Sequence, residues 1–251
     1  MNENHDRRAA VRLDHVSKSF GDRTVLEDVS FQVGTGEAFC LLGRSGVGKS
    51  VTLRLMIGLI KPDRGKIFVQ GHEMQAIERE ELGEARKKIG FLFQGAALFD
   101  SISVFENVAF PLRRHTKKSE EEIRAVVQEK LDEVELSKEG KKMPSELSGG
   151  MQKRAGLARA LALDPAVLLV DEPSSGLDHI TAKEIYELLL NLKQSRHVTL
   201  VAVTHDVAGA RKFADRFAVL NEGKIVACGS PEDLAGSDNP VVRELAAGVE
   251  T

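Results

Sequence analysis

The stretch "AFCLLGRSGVGKSVTLRLM", from Ala38 to Met56, decides the fold. It opens with five apolar residues, which is typical of a strand covered on both faces, and it closes with a helical pattern. Between the two, "GRSGVGKS" fits the pattern G-x-x-x-x-G-K-[ST]. Glycines in such a loop let backbone N–H groups point at phosphate oxygens, and the helix start adds its dipole. The stretch therefore predicts a phosphate-binding loop.

Every residue of this loop is a candidate contact for a nucleotide. Lys49 is expected to reach the β- and γ-phosphates, and the Ser50 hydroxyl is expected to ligate Mg²⁺. ATP and Mg²⁺ are therefore the predicted cofactors. The predicted binding residues are Gly43, Arg44, Ser45, Gly46, Val47, Gly48, Lys49, Ser50 and Val51.

Further apolar runs on the C-terminal side of this stretch predict an α/β fold with a mainly parallel sheet and crossover helices. They are "IGFLF" at 89–93, "AVLLV" at 166–170 and "VTLVAV" at 198–203. The N-terminal runs "VRLDHVSKSF" and "VLEDVSFQVG" alternate more, which predicts short antiparallel strands. "FAVLNEGKIVACG" predicts a hairpin that turns at Asn221 to Gly223.

Between Gln94 and Leu163 the pattern becomes helical, and a capping box is predicted at Ser119 and Glu122. This region is interpreted as a helical lobe inserted into the core of a single domain, 1–251. The predicted division is 1–94 and 164–230 for the β-subdomain and core, 95–163 for the helical lobe, and 231–251 for a helical tail.

Polar residues that follow the apolar runs are the candidate catalytic groups, because ligands lie at the carboxyl ends of parallel strands. Asp171 ends one run and is predicted to hold Mg²⁺. Glu172 comes next, and on an extended strand end it would point the opposite way, toward a water near the γ-phosphate. Gln94 and His205 follow two other runs and are predicted to meet the same phosphate.

Composition limits the partners. The net charge of −3, with acidic and basic residues interspersed, gives no basic face for nucleic acid. Cys40 and Cys228 are interpreted as buried, reduced thiols, which suits a cytoplasmic location. The apolar runs are too short to span a membrane, although the chain could still dock on a membrane protein.

The stretch "LSGGM", 147–151, places two glycines at a predicted helix start, where glycine is unfavourable. The bare backbone and the serine there suggest a second anion site. The phosphate loop and Gln94 precede this segment, and "DEP", "SSGLD" and "THD" follow it in order. With these motifs in this order, the chain resembles the nucleotide-binding subunits of ABC transporters.

That resemblance implies a head-to-tail homodimer in which Ser148, Gly149 and Gly150 serve the ATP held by a second copy. It implies Asp178 at the dimer interface and Gln94 as a further Mg²⁺ ligand. Phe20 stands where the family places an aromatic ring against adenine, although Phe20 could also be a core residue. His179 replaces a proline that is common in the family, which puts the geometry of that loop in question.

Two segments, 93–123 and 226–245, resemble the Mla-type, Mce-associated lipid transport ATPases. The implied function is ATP hydrolysis that drives an integral membrane permease moving phospholipid or a related lipid, with an Mce-domain protein in the complex. The implied location is peripheral, on the cytoplasmic face of the cell membrane. Leu98, Phe99, Val104 and Phe105 are expected to form either a groove for a permease helix or the core of the lobe.

Three other functions are alternatives. A soluble relative that acts on DNA or ribosomes predicts coiled-coil arms, tandem units or a basic surface, and the sequence has none of these features. A kinase would leave the LSGGM segment unexplained. A transporter ATPase for another cargo, such as amino acids, metals or lipoproteins, stays open, because the permease selects the cargo.

Overall fold

The computed structural model of the protein describes residues 9–247, which form two β-sheets flanked by helices. The strands are β1 Ala9–Phe20, β2 Arg23–Gly34, β3 Ala38–Leu42, β4 Arg64–Val69, β5 His72–Glu73, β6 Ile89–Leu92, β7 Val167–Asp171, β8 Thr199–Thr204, β9 Arg216–Asn221 and β10 Lys224–Gly229. The helices are α1 Lys49–Met56, α2 Arg79–Lys87, α3 Val104–His115, α4 Glu120–Glu133, α5 Gly149–Leu161, α6 His179–Arg196, α7 Val207–Ala210, α8 Pro231–Ala235 and α9 Pro240–Ala247, with a 3₁₀ turn at Pro144–Glu146. The predicted α/β class is confirmed.

The larger sheet has six strands in the order β10-β9-β3-β8-β7-β6. The pairs β9–β3, β3–β8, β8–β7 and β7–β6 are parallel, and β10 alone runs antiparallel, against β9. All four predicted apolar runs are strands of this sheet. The predicted hairpin is also confirmed, and both residues of its turn, Glu222 and Gly223, have positive φ, as a type I′ turn requires.

The smaller sheet has the order β2-β1-β4-β5 and is antiparallel. The prediction of antiparallel N-terminal strands is right, but the prediction that they are short is wrong, since β1 and β2 each have 12 residues. Their pairing is interrupted by several register shifts, which obscure the alternation of apolar residues over that length. The sequence pattern also gave no sign of β4, β5 and α2.

Helices α3, α4 and α5 lie between β6 and β7 in the chain and pack on one another as a helical lobe. The predicted capping box is present: the Ser119 hydroxyl accepts from the Glu122 amide, and the Glu122 carboxylate accepts from the Ser119 amide at 2.7 Å. Asn107 is fully buried in this lobe, and its side chain bonds the backbone of Phe99, Ile102 and Ser103.

Strand β3 divides the apolar interior into two cores. Ala38, Cys40 and Leu42 face a core shared with the helical lobe and α6. Phe39 and Leu41 face a second core that is shared with the smaller sheet and α1. Cys40 is buried as predicted, but Cys228 is exposed, because β10 is an edge strand. Burial of both thiols was therefore a wrong prediction.

An ionic cluster ties the far end of the helical lobe to the core. Lys130 of α4 is 1% exposed, and its Nζ lies 2.7 Å from Oδ1 of Asp164, which follows α5. Arg196, at the end of α6, bonds the same Asp164 oxygen at 2.6 Å and also pairs with Glu129 and Glu133 of α4. The lobe is thus attached to the core by charged contacts as well as by apolar packing.

The predicted helical tail corresponds to α8 and α9, which pack on each other; α8 also packs against β9 and β10. Residues 248–251 of the predicted tail lie outside the described residues. Among residues 9–247, no helix has both the length and the apolar character needed to cross a bilayer.

Candidate functional site

Four loops meet where the parallel strands end. The register aligns Leu42 with Thr204, Asp171 with Val203, and Leu92 with Val170, so β3, β8, β7 and β6 end at the same edge of the sheet. The loops that follow carry the phosphate-loop motif, His205, Glu172 and Gln94. Together they border an open cavity of about 370 Å³.

The phosphate-loop motif follows β3 directly and leads into α1. Gly48, the residue before the helix, has φ 117°, in the left-handed region that favours glycine. A Cβ at Gly48 would also press on Val25 and Leu26 of β2, with the nearest atom at 2.9 Å. Only glycine therefore fits this position without strain, and the smaller sheet lies directly against the loop.

The side chain of Lys49 is buried and turned back over this loop. Its Nζ donates to the Gly43 carbonyl at 2.7 Å and to the Arg44 carbonyl at 3.2 Å, and it lies 3.2 Å from Oε1 of Glu172. The ammonium is therefore held at the floor of the cavity, where an incoming phosphate would meet it.

Ser50 and Asp171 supply adjacent oxygens beside Lys49. The Ser50 hydroxyl donates to Oδ1 of Asp171 at 2.8 Å. Burial raises the pKa of the Asp171 carboxyl, and the hydrogen bond from Ser50 opposes that shift. A hydroxyl and a carboxylate that already touch are hard oxygen ligands of the kind Mg²⁺ takes, so these residues fit the predicted metal.

Glu172 does not have the predicted extended backbone. Its φ is 47°, in the left-handed region that is uncommon for a residue other than glycine. This conformation brings the Glu172 carboxylate between Lys49 and His205, whose Nδ1 lies 2.9 Å from Oε2. The prediction of an extended backbone at Glu172 is therefore wrong, because the strand ends at Asp171.

Gln94 lies on the wall of the cavity, two residues beyond β6. Its Nε2 donates to the Ser175 hydroxyl at 3.0 Å, which links the loop after β6 to the loop after β7. A carboxylate, an imidazole, an ammonium and an amide thus converge on one water-accessible space. Such a set can hold a polyanion and accept a proton from water.

Most of the predicted residues line the cavity, but several do not. The lining residues are Phe20, Arg23, Val25, Ser45, Gly46, Gly48, Lys49, Ser50, Val51, Gln94, Glu172 and His205. Phe20 is 49% exposed, so the alternative that it belongs to the core is wrong. Gly43, Val47 and Asp171 are not among the lining residues, and the Arg44 guanidinium turns away to pair with Glu244 of α9 at 2.7 Å.

Sequence reasoning missed Arg23 and Val25. Arg23 is exposed, and its Nη2 donates to the Gly46 carbonyl at 3.4 Å. No local pattern identified them, because they join the cavity through the contact of β2 with the phosphate loop.

The LSGGM segment lies outside this cavity, at the start of α5. Ser148 is the N-cap, and its hydroxyl accepts from the Met151 amide at 3.3 Å. Asp178 caps the neighbouring helix α6, accepting from the Ile180 and Thr181 amides at 3.0 and 3.1 Å. Helix α6 begins at His179, so the missing proline does not prevent a regular helix start.

The two glycines of this segment differ in their surroundings. A Cβ on Gly150 would lie far inside van der Waals distance of Cγ2 of Thr181, so α5 and α6 can approach this closely only with glycine there. A Cβ on Gly149 would make only an ordinary contact with Leu177 at 3.4 Å. Gly150 therefore has a packing role within one chain, whereas Gly149 is exposed at the helix start.

A second cleft, of about 460 Å³, lies between the helical lobe and the core. Phe99 and Phe110 border it and are exposed. The four apolar residues predicted to form either a groove or the lobe core do not all lie in one place. Val104 is fully buried in the lobe core, and Leu98 and Phe105 pack against that core. Of the four residues, Phe99 alone lines the cleft.

Comparison with known proteins relates these features to one family. Residues 26–175 match the family model described as ABC transporter. The probable ribonucleotide transport ATP-binding protein mkl of Mycobacterium leprae (strain TN) is 46% identical over 95% of this chain and 69% of its own length. The intermembrane phospholipid transport system ATP-binding protein MlaF of Escherichia coli (strain K12) is 41% identical over 95% of this chain and 89% of its own length.

Solved structures agree with the family match. The ATP-binding cassette MJ0796, in a dimeric post-hydrolysis state bound to ADP and Pi, is 34% identical, with a TM-score of 0.81 over 88% of this chain and 98% of that one. The protein cbiO1 of Clostridium perfringens, part of the ABC transporter complex cbiONQ, is 28% identical, with a TM-score of 0.84 over 96% of this chain and 95% of that one.

Proposed function

This chain belongs to the ABC transporter family, and from that premise we propose that it dimerises around two MgATP and drives a permease that moves phospholipid or a related lipid. The ATPase activity itself follows from the family. One observation carries the site assignment: Lys49, Glu172, His205 and Gln94 border one open cavity beside the phosphate loop.

The residues of the cavity have distinct proposed roles. Lys49 neutralises the β- and γ-phosphates, and Ser50 with Asp171, joined by Gln94, would hold Mg²⁺, which supplies charge neutralisation when bound. The Glu172 carboxylate, held between an ammonium and an imidazole, orients water and accepts its proton. Phe20 offers an exposed ring on which adenine can stack.

The second part of the proposal is a head-to-tail homodimer. Ser148, Gly149 and Gly150 lie away from the cavity of their own chain, although a helix start with a serine cap and an exposed glycine is suited to an anion. The dimeric cassette MJ0796 supports pairing of two such chains. In this arrangement the LSGGM segment of each copy serves the ATP held by the other, and Asp178 lies at the interface.

The permease is proposed to insert a short helix into the cleft between the lobe and the core. The cleft has aromatic walls, including Phe93, Phe99 and Phe110, and three basic residues also line it. The basic residues are Lys87, His115 and Arg159. A helix with an apolar face and a carboxylate would complement this surface. Docking there would hold the chain peripherally on the cytoplasmic face of the cell membrane.

The proposed cargo rests on the relatives. MlaF is named for intermembrane phospholipid transport, and the match covers 89% of its length. The protein mkl is named for ribonucleotide transport and is more similar in sequence, but the match covers 69% of its length. The names favour two different cargoes, and the more complete coverage of MlaF favours lipid. An Mce-domain protein belongs to the complex in this proposal.

Co-purification tests the assembly and the cargo together. The tagged chain, expressed at native level and extracted in mild detergent, should bring down a polytopic permease, an Mce-domain protein and phospholipid, each identified by mass spectrometry. A permease that carries nucleotides and no lipid would overturn the cargo and leave the ATPase assignment intact. Recovery without any membrane protein would overturn the permease partnership.

A further inference from the structure

A buried lysine connects the helical lobe to the loops that carry Glu172 and Gln94. Lys153 lies on α5, five residues after Ser148, and is 5% exposed. Its Nζ donates to the main-chain carbonyl of Glu172 at 3.2 Å and also to the main-chain carbonyl of Gln94. A single side chain of the lobe thus holds two separate loops of the core.

Packing alone does not account for an ammonium at this position. Burying a charge against neutral acceptors is unfavourable, and an apolar side chain of similar length would fill the space without that cost. Burial lowers the pKa of Lys153, although the charges of Asp171 and Glu172 act in the opposite direction. The donor groups of Lys153 therefore have a use other than filling space.

The geometry of Glu172 indicates that use. Its backbone has a φ of 47°, in the left-handed region, and its carbonyl accepts from Lys153 while the residue lines the cavity. Conformations of this kind persist only when the surroundings hold them, and they are concentrated at functional sites. The ammonium of Lys153 supplies part of that support. It does the same for the loop of Gln94, whose amide lines the cavity.

We propose that Lys153 is a positioning residue that couples the start of α5 to the placement of Gln94 and Glu172. One continuous helix covers the rise of about 7.5 Å between Ser148 and Lys153. Movement of its N-terminus is therefore transmitted to both loops through one side chain. This inference rests on the proposed function, in which a partner's ATP binds at Ser148.

The test compares two lysine variants with a matched control on the same helix. Gln152 also donates to two carbonyls, those of Pro144 and Leu147 at 3.0 and 3.3 Å, but both acceptors belong to the helical lobe. Lys153→Met should lower kcat by about 10- to 100-fold with little change in KM, because the loops lose their alignment and not their binding groups. Gln152→Met should keep kcat within about threefold. Lys153→Arg keeps the donors and should retain most of the turnover.

Hydrogen exchange provides a second readout that does not depend on turnover. In the full chain, amides of residues 94–97 and 172–176 should exchange faster in Lys153→Met than in Gln152→Met, at equal thermal stability. Normal kcat and normal exchange in Lys153→Met would overturn the proposal, as would an arginine variant as slow as the methionine variant. If the unmodified chain fails to hydrolyse ATP, the proposed function fails, while the exchange comparison still decides the role of Lys153.

Discussion

Nδ1 of His205 lies 2.9 Å from Oε2 of Glu172, although the two residues follow different strands. The other carboxylate oxygen of Glu172 lies 3.2 Å from Nζ of Lys49. Both contacts follow from parallel strands ending at one edge of the sheet, which brings residues 33 positions apart into hydrogen-bond distance. The orientation of the Glu172 carboxylate is thus fixed from two sides.

Glu172→Gln should reduce ATP turnover by about 10²- to 10⁴-fold, the usual contribution of a general base. The amide keeps the size and hydrogen-bonding reach of the side chain but accepts a proton poorly. ATP affinity, measured by calorimetry, should persist. Glu187→Gln, on the exposed face of α6, is the matched control. Near-normal turnover in the Glu172 variant would remove this residue from the role.

Lys49→Ala should weaken nucleotide binding itself. The ammonium is the charge held at the floor of the cavity, and its loss leaves the phosphates without their principal cation there. Fluorescence titration with a labelled ATP analogue measures the effect. Lys61→Ala, an exposed lysine beyond α1, should bind normally. Equal affinity in the two variants would contradict the assignment.

Ser148→Arg should block turnover while a single chain still binds ATP, because the new side chain occupies the place proposed for a second copy. Loss of the helix cap also costs about 1 kcal/mol, so thermal unfolding must be followed in parallel. Ser145→Arg, in the exposed 3₁₀ turn before the helix, is the control. Full activity of the Ser148 variant would mean that the segment is structural.

Gly150→Ala should destabilise the fold by about 1–3 kcal/mol, since its Cβ would overlap Cγ2 of Thr181. Thr181→Ser removes that methyl group and keeps the hydroxyl that bonds Asp178. The double variant should therefore regain most of the lost stability in a chemical denaturation cycle. Gly149→Ala, with only an ordinary contact at Leu177, should be tolerated. Additive effects in the cycle would show that the two residues do not interact.

Lys130→Met should make the stability of the fold less dependent on pH in the acid range. Burial acts to raise the pKa of Asp164, but the contacts of Asp164 with Lys130 and Arg196 outweigh burial, so this pKa is lowered. The pKa of Glu129 is also lowered, and its hydrogen bond with Lys130 is the main cause. Because these folded-state pKa values are lowered, their stabilisation is complete above the ordinary values of 3.8 and 4.5. It is lost as the pH falls through the lowered values.

The measurement for Lys130→Met is the unfolding midpoint at pH 7 and at successive steps down to pH 2. The unmodified chain should lose more stability over this range than the variant does. Lys183→Met, which disturbs only an exposed pair with Glu187 at 3.6 Å, should follow the unmodified chain. Parallel curves for the Lys130 variant and the unmodified chain would show that the cluster contributes nothing.

Four strands of the larger sheet, β3, β6, β7 and β8, could be predicted because each is a continuous apolar run, and strands covered on both faces need no other signal. The loop residues at their carboxyl ends followed from topology. The capping box at Ser119 and the type I′ turn at Gly223 were readable because they depend on local residue types.

Other features depend on contacts between distant segments and had no local signal. The left-handed backbone of Glu172, the overlap of Gly150 with Thr181 and the exposure of Cys228 belong to this group. Helical spacing alone could not separate Val104, which is buried, from Phe99, which lines the cleft. Arg23 joins the cavity only because β2 lies against the phosphate loop.

Neighbouring residues of β3 belong to different interiors: Cys40 faces the helical lobe, and Phe39 and Leu41 face the smaller sheet. A substitution on one face acts first on its own core, because successive side chains of a strand point to opposite faces. The helical lobe can therefore change its packing while the smaller sheet keeps its contacts with the phosphate loop. The six-stranded sheet thus allows the two halves of the molecule to diverge at different rates over evolutionary time.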